Sequence, residues 1–111
     1  MNKYKFCKIK NSNDKSNFVI RLNSKEIELP LIIRTKQIGD KMAIKNLSGT
    51  KKLKDIFIDC KMDMKIRNEY PIVCDSKNNI IWIPGIKKSI FDKEINEKYD
   101  IILRYTEEEN E

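Results

Sequence analysis

Apolar and polar side chains alternate through most of the first third of this chain, and that alternation predicts strands. Tyr4 and Phe6 lead into a short stretch over residues 7–9, after which the polar run NSNDKSN (residues 11–17) breaks the pattern. In FVIRL (residues 18–22), Phe18, Ile20 and Leu22 alternate with Val19 and Arg21, as a strand with one buried face requires. Ser24 marks a turn, and Ile27 and Leu29 then alternate with Glu26 and Glu28 up to Pro30. Leu31, Ile32 and Ile33 are apolar without interruption, which predicts a strand buried on both faces.

The period changes after the turn signal Gly39-Asp40. Residues 41–44 begin another strand, and NLSGT (residues 46–50) reads as a loop whose Ser48 and Thr50 suit a helix N-cap. Leu53, Ile56, Phe57 and Cys60 then fall at i, i+3, i+4 and i+7, the stripe of an amphipathic helix over about residues 51–60. DMKIRNEYP (residues 63–71) reads as a short helix or turn. Two short strands follow at 72–74 and 80–84, separated by DSKNN and ended by Gly85. Within the polar segment 87–98, Ile90, Phe91 and Ile95 are expected to turn inward. Residues 101–105 form a last strand, beyond which the acidic end is expected to fray. About seven short strands and one clear helix make a β-rich α+β domain, with no internal repeat and no Gly/Pro/Ser linker.

Composition sharpens the picture in two places. A length of 111 residues with 40% hydrophobic content fits one small domain, and no apolar run approaches a membrane span. The N-terminus, MNKYKFCKIK, lacks the apolar core of a signal peptide, so a cytoplasmic location is expected. The formal charge of +6 understates the body's basicity, because Glu107, Glu108, Glu109 and Glu111 crowd the end. Residues 1–106 carry 23 basic and 13 acidic side chains, a net of +10. Such a body attracts polyanions by Coulomb steering and counterion release. Lysine, isoleucine and asparagine are all abundant, so part of the lysine content is compositional.

Catalytic chemistry finds no residues to work with. There is no histidine, and the three cysteines (Cys7, Cys60, Cys74) form no CxxC pair. That removes Cys/His zinc sites and any mechanism with a histidine base. Three dispersed glycines make no phosphate-cradling loop. Asp55 and Asp59 read as solvated charge partners rather than an acid/base pair. The binding candidates, by contrast, cluster: residues 30–70 hold ten basic side chains and five acids. Lys51, Lys52 and Lys54 are expected in the first helical turn, where the helix dipole disfavours cations, so their placement favours an anionic partner. Arg34 and Arg67 stand out because arginine's fork grips phosphate and stacks on bases; the structural alternatives are ion pairs with Asp40 and Asp63. Trp82, in an apolar strand, reads as core rather than as a base-stacking platform.

The order of these features resembles the C-terminal domain of tRNA(Ile)-lysidine synthetases. LIIRTKQIGD (residues 31–40) looks like that family's P-L-x-[IV]-R-x-R-x-x-G-D opening, and TKKLKDIFID (residues 50–59), after Gly49, looks like its G-x-K-K-L-K-x-x-F-x-D helix. Lys65-Ile66-Arg67 with the following Tyr70-Pro71-Ile72-Val73, and then IWIPG (residues 81–85), are similar to its arginine and P-[LIV]-[LIV] segment and its W-[VI]-x-G strand end. The likeness spans roughly residues 28–105. Lys36 and Lys87 stand where the family usually has arginines; both keep the charge and lose the fork.

The resemblance implies a layered, sandwich-like β fold shared with a domain of phenylalanyl-tRNA synthetase β subunits. It implies N-terminal strands over residues 1–29, the C-terminal domain proper over 30–106 and an acidic tail over 107–111. The implied role is to hold tRNA, chiefly at its acceptor stem, with Arg34, Lys36, Lys51, Lys52, Lys54, Arg67 and Lys87 as RNA-binding residues. An N-terminal PP-loop domain, whose SGGxDS motif does not occur here, would convert the wobble cytidine to lysidine. The ATP-dependent ligase chemistry, with its ATP and magnesium, belongs to that full enzyme; no catalytic residue, metal or cofactor is expected in this chain. Its expected partners are tRNA and the enzyme's own catalytic domain, with a homodimer left open and no membrane. The alternative is a protein-interaction or intramolecular docking domain with no direct RNA contact.

Overall fold

The computed structural model describes residues 2–109, with the side chains of residues 4–107. Nine strands and two α-helices are seen among the described residues: β1 (Asn2–Lys8), β2 (Val19–Leu22), β3 (Ile32–Arg34), β4 (Lys41–Ala43), β5 (Thr50–Lys52), α1 (Leu53–Asp59), α2 (Met64–Glu69), β6 (Ile72–Cys74), β7 (Ile80–Ile83), β8 (Lys87–Lys88) and β9 (Ile101–Glu109). They form three antiparallel sheets, ordered β1-β9-β2, β3-β6-β7-β8 and β4-β5.

The β6–β7 hairpin sits at the centre, and every residue of both strands is buried. Alternation along β6 sends Ile72 and Cys74 into one core and Val73 into the other. The first core packs α1 (Leu53, Ile56, Phe57) and Met42 of β4 against the sheet. The second packs Ile20, Leu22 and Tyr105 of the three-stranded sheet against Val73, Ile81 and Trp82. A register shift between Val73 and Cys74 bulges the hairpin, and Ile81 and Trp82 both fall in the second core. The fold is thus layered, with the four-stranded sheet between a three-stranded sheet and the α1–β4 layer.

Asp75 fixes the hairpin's turn. Its buried carboxylate accepts the backbone N–H groups of Lys77, Asn79 and Glu28 and the side-chain amide of Asn79. Burial pushes its pKa up, but these donors outweigh it and hold the carboxyl below its ordinary value.

Several expectations change at this level. The run 31–33 supplies Ile32 and Ile33 to an edge strand, where they are 45% and 53% exposed, because β3 pairs with β6 on one side only. An unbroken apolar run does not say which side of a sheet it will cap; in this sheet the strands buried on both faces are the central pair, β6 and β7. The residues of β2 are all buried, Arg21 included, whereas Phe18 just before it is half-exposed. Residues 24–26 form a 3-10 turn instead of continuing a strand, leaving Ile27 buried and Leu29 exposed. The helix starts at Leu53, since residues 50–52 pair with β4; its N-cap is Lys52, with no side-chain cap from Ser48 or Thr50. Cys60 ends that helix exposed, and Ile90 faces solvent. Finally, β9 runs on through Glu109, paired with β1 back to Asn2, so residues 107–109 extend a strand where fraying was expected. Residues 110–111 lie outside the described residues.

Candidate nucleic-acid interface

The loop after β3 folds back because Arg34 holds it. Its Nη1 and Nη2 donate to the two carboxylate oxygens of Asp40 at 2.9 and 3.0 Å, in a fork-on-fork pair. Nη1 also donates to the Thr35 carbonyl, while Nε and Nη2 share the side-chain oxygen of Asn78 in the β6–β7 turn. All five N–H groups of the guanidinium are therefore engaged within the domain. Asp40 in turn accepts the Gln37 backbone N–H at 2.7 Å, and its own carbonyl takes the N–H of Leu53 at the start of α1. Burial raises the Asp40 pKa, but the Arg34 and Gln37 hydrogen bonds outweigh it and hold the carboxyl below its ordinary value; the half-buried Lys36 adds to that effect. The pairing with Asp40 is the structural alternative for Arg34. It makes this arginine a tie between two loops, with no donor left for a phosphate.

The other candidates divide into two groups around the β4–β5 hairpin. Cross-strand pairing sets Lys41 opposite Lys52 and Met42 opposite Lys51. Met42 is buried, so Lys51 shares its inward-facing side and pairs with Asp59 of α1, whereas Lys41 and Lys52 lie on the opposite, solvent face. Among the described residues neither Lys41 nor Lys52 has an ion-pair partner. Like charges directly opposite cost a hairpin roughly 0.2–1 kcal/mol. Lys54 follows, exposed, in the first turn of α1, where the helix dipole also disfavours it. Lys51 and Lys87 meet on the other side, lining a cleft with Ile56 and Asp59.

Arg67 lies on α2, and the anticipated pair with Asp63 does not form. Asp63 instead caps α2 by accepting the Lys65 N–H at 3.0 Å, and the buried Arg67 Nε has no hydrogen-bond partner among the described residues. Trp82 is fully buried, with its Nε1–H donated to the Asn17 carbonyl at 2.8 Å, as its apolar strand foretold.

Two features escape a reading along the chain. Lys41 is one of several basic residues in its region, and nothing local shows that it will face Lys52 across a hairpin. Arg21 has the pattern of a strand's polar face, yet it is buried beside Lys45, Lys87 and Lys88. A lone arginine amid VIRL is the available signal.

Comparison with known proteins agrees with this architecture. A family model described as the TilS substrate C-terminal domain matches residues 31–101. The tRNA(Ile)-lysidine synthase of Bacillus licheniformis is 44% identical over 94 residues, covering 84% of this chain and 20% of that protein. The corresponding synthase of Bacillus subtilis is 45% identical over 94 residues, with the same coverage of both chains. This chain thus spans about one fifth of the length of these relatives. Among solved structures, a crystal structure of a TilS C-terminal domain superposes with a TM-score of 0.77 at 34% identity, over 96% of this chain and 82% of that one. An N-terminal fragment of the phenylalanyl-tRNA synthetase β subunit from Pyrococcus horikoshii shares the fold, with a TM-score of 0.59 at 17% identity over 78% of this chain and 27% of that one. With its motifs matched in order over residues 31–101 and its layered sheets shared with a solved member, the chain belongs to the TilS substrate C-terminal domain family.

Proposed function

We propose that this domain grips tRNA by its backbone, at the acceptor stem, while the rest of a tRNA(Ile)-lysidine synthase uses ATP, magnesium and lysine to convert the wobble cytidine to lysidine. We assign none of this chain's residues to ATP or magnesium. The observation that carries the reading is the Lys41–Lys52 opposition, extended by Lys54. Three cations sit where hairpin and helix are both destabilised by them, and a phosphate backbone would relieve that cost. Backbone contacts of this kind position an RNA without reading its sequence.

The test is a tRNA titration over a range of salt concentrations with the double variant Lys41→Gln/Lys52→Gln. Each lysine withdrawn from a phosphate should flatten the log–log salt dependence by about 1, so the slope should drop by about 2. Removing the mutual repulsion should leave thermal stability unchanged or raise it by about 0.5 kcal/mol. An unchanged salt slope together with a loss of stability would assign both lysines to the fold and end this reading.

A second reading, compatible with the first, rests on β3. Its exposed Ile32 and Ile33 lie on an unpaired sheet edge, and Ile38 projects fully into solvent shortly after it. Apolar edges of this kind are usually covered. Since the chain spans about a fifth of its relatives, the occupant we infer is the remainder of the same enzyme. In the full-length protein, Ile33→Glu should expose the domain to limited proteolysis while leaving the isolated domain's tRNA titration unaltered. Equal protease resistance in both full-length proteins argues against docking there.

A further inference from the structure

Trp82 is the largest aromatic side chain on offer for stacking, and the fold buries it. Phe18 and Tyr4 are the rings left half in solvent, at 48% and 44% exposed. Both flank the buried Tyr105. The Phe18 ring lies within 9° of parallel to that of Tyr105, with 6.4 Å between centroids; the Tyr4 ring lies within 24° at 6.0 Å. Single exposed apolar side chains are ordinary on a protein surface. Phe18 differs in how firmly the fold sets its place.

Asn17 does most of this. Its carbonyl accepts the Nε1–H of Trp82 and the backbone N–H of Gly85, both at 2.8 Å, and its Nδ2 donates to the Ile86 carbonyl at 2.8 Å. The Phe18 carbonyl in turn accepts the Tyr105 N–H at 2.9 Å. The tip of the Phe18 ring then rests on Gly85, where φ is +76° and a Cβ would come within 2.9 Å of it. With Tyr105 along one flank and Gly85 under the tip, the exposed half of Phe18 is the flank turned away from the core. A ring held in this way loses little freedom when a ligand stacks on it.

Gly85 is also where the ring meets charge. It lines the cleft of about 360 Å³ that holds Lys51 and Lys87. Lys51 is paired with Asp59, whereas Lys87 is exposed and has no ion-pair partner among the described residues. The Tyr4 end is different: burial, then the charges of Glu107 and Glu69, push its hydroxyl pKa up. A phosphate is thus repelled at the Tyr4 end and attracted at the Lys87 end. Aromatic rings beside cations are how proteins take the base and the backbone of single-stranded nucleic acid together.

We propose that Phe18 is a stacking platform for an unpaired nucleobase of RNA, with Lys87 beside the adjoining phosphate. A base inside a duplex has no face to give, so the occupant is the unpaired 3′ end that an acceptor stem carries. The identity of this occupant rests on the tRNA-binding reading.

The experiment titrates this chain with a whole tRNA and with the same tRNA trimmed of its unpaired 3′ nucleotides. Trimming should weaken binding about tenfold, and Phe18→Leu should weaken the whole tRNA about as much while leaving the trimmed one unaffected. Phe18→Trp should keep the affinity, and its fluorescence should be quenched by the whole tRNA only; the buried Trp82 adds a constant background. Lys87→Gln should flatten the salt dependence by about 1 for the whole tRNA and not for the trimmed one. Equal affinity of the unaltered chain for both RNAs, or equal losses for both in Phe18→Leu, would overturn the platform and leave the tRNA reading standing. Binding of neither RNA would end the tRNA reading and the platform with it. Unchanged affinities in Phe18→Leu, with new protease sensitivity in the full-length enzyme, would overturn stacking and give the ring to the enzyme's remainder. Phe18 packs on Gly85 and Tyr105, so thermal melting reports any loss of fold in the leucine variant, and Phe18→Trp keeps the test independent of it.

Discussion

Trp82→Ala should cost this domain about 4 kcal/mol of stability, the largest loss expected from any single change considered. Truncating a fully buried tryptophan removes its transfer free energy and leaves a cavity that the surroundings fill only in part. At Trp82 the surroundings are poorly placed to collapse. The ring sits between sheets, edge-on to Phe6 at 6.0 Å and to Tyr105 at 6.5 Å, and Val73 and Ile81 share the same core. Its Nε1–H also satisfies the Asn17 carbonyl, which anchors the loop before β2. Small domains have about 5–15 kcal/mol in total, so the variant should sit near its unfolding transition at ordinary temperature. Trp82→Phe separates the two contributions: it keeps much of the ring and loses the hydrogen bond, for about 1–2 kcal/mol. Urea denaturation of the three proteins measures both steps. A loss under about 2 kcal/mol in the alanine variant would mean that the sheets do not depend on this seam.

Arg34→Met comes next, with an expected loss of about 3 kcal/mol, because it leaves a nearly buried carboxylate without its partner. The side chains of Arg34 and Asp40 are 16% and 9% exposed, so solvent screening is limited. Arg34→Lys should recover little, since an ammonium keeps the charge but loses the fork that reaches Asp40, Thr35 and Asn78 together. The loss should also carry a signature in pH. Asp40 has a folded pKa below its ordinary value of 3.8, so it binds fewer protons folded than unfolded near that pH. The stability it contributes is complete well above 3.8 and disappears as pH falls through the lower folded value. Arg34→Met removes the main cause of the depression, so its acid limb should be shallower than that of the unaltered protein. Per folded molecule, tRNA affinity should change little, because all five guanidinium donors already serve the fold. A large affinity loss at full stability would return Arg34 to the RNA interface.

These two residues also show where reading along the chain succeeds and where it stops. Trp82 can be placed in the core from its sequence neighbours, because IIWI leaves a strand no polar face. Arg34 cannot be assigned in the same way. Its motif marks it out, but whether a fork grips phosphate or carboxylate depends on partners far along the chain; Asn78 lies 44 positions away. The helical pattern puts Lys51 and Lys52 on one turn, and pairing with β4 instead places them on opposite faces of a strand. That single change leaves Lys51 paired with Asp59 and Lys52 facing Lys41.

The sequence by itself determined the inventory: the helical stripe of Leu53, Ile56 and Phe57, the apolar strands around Val73 and Trp82, the net basic body and the lack of any histidine-based chemistry. Each of these is a local or additive property, set by side-chain period or by counting charges. The tertiary structure alone decided that residues 31–33 cap a sheet edge while 72–74 and 80–83 lie at its centre, for both are equally apolar. It alone set Lys41 against Lys52 and buried Arg21 with no ion pair among the described residues. Burial and charge pairing are fixed by which distant strands meet, and no local period carries that information.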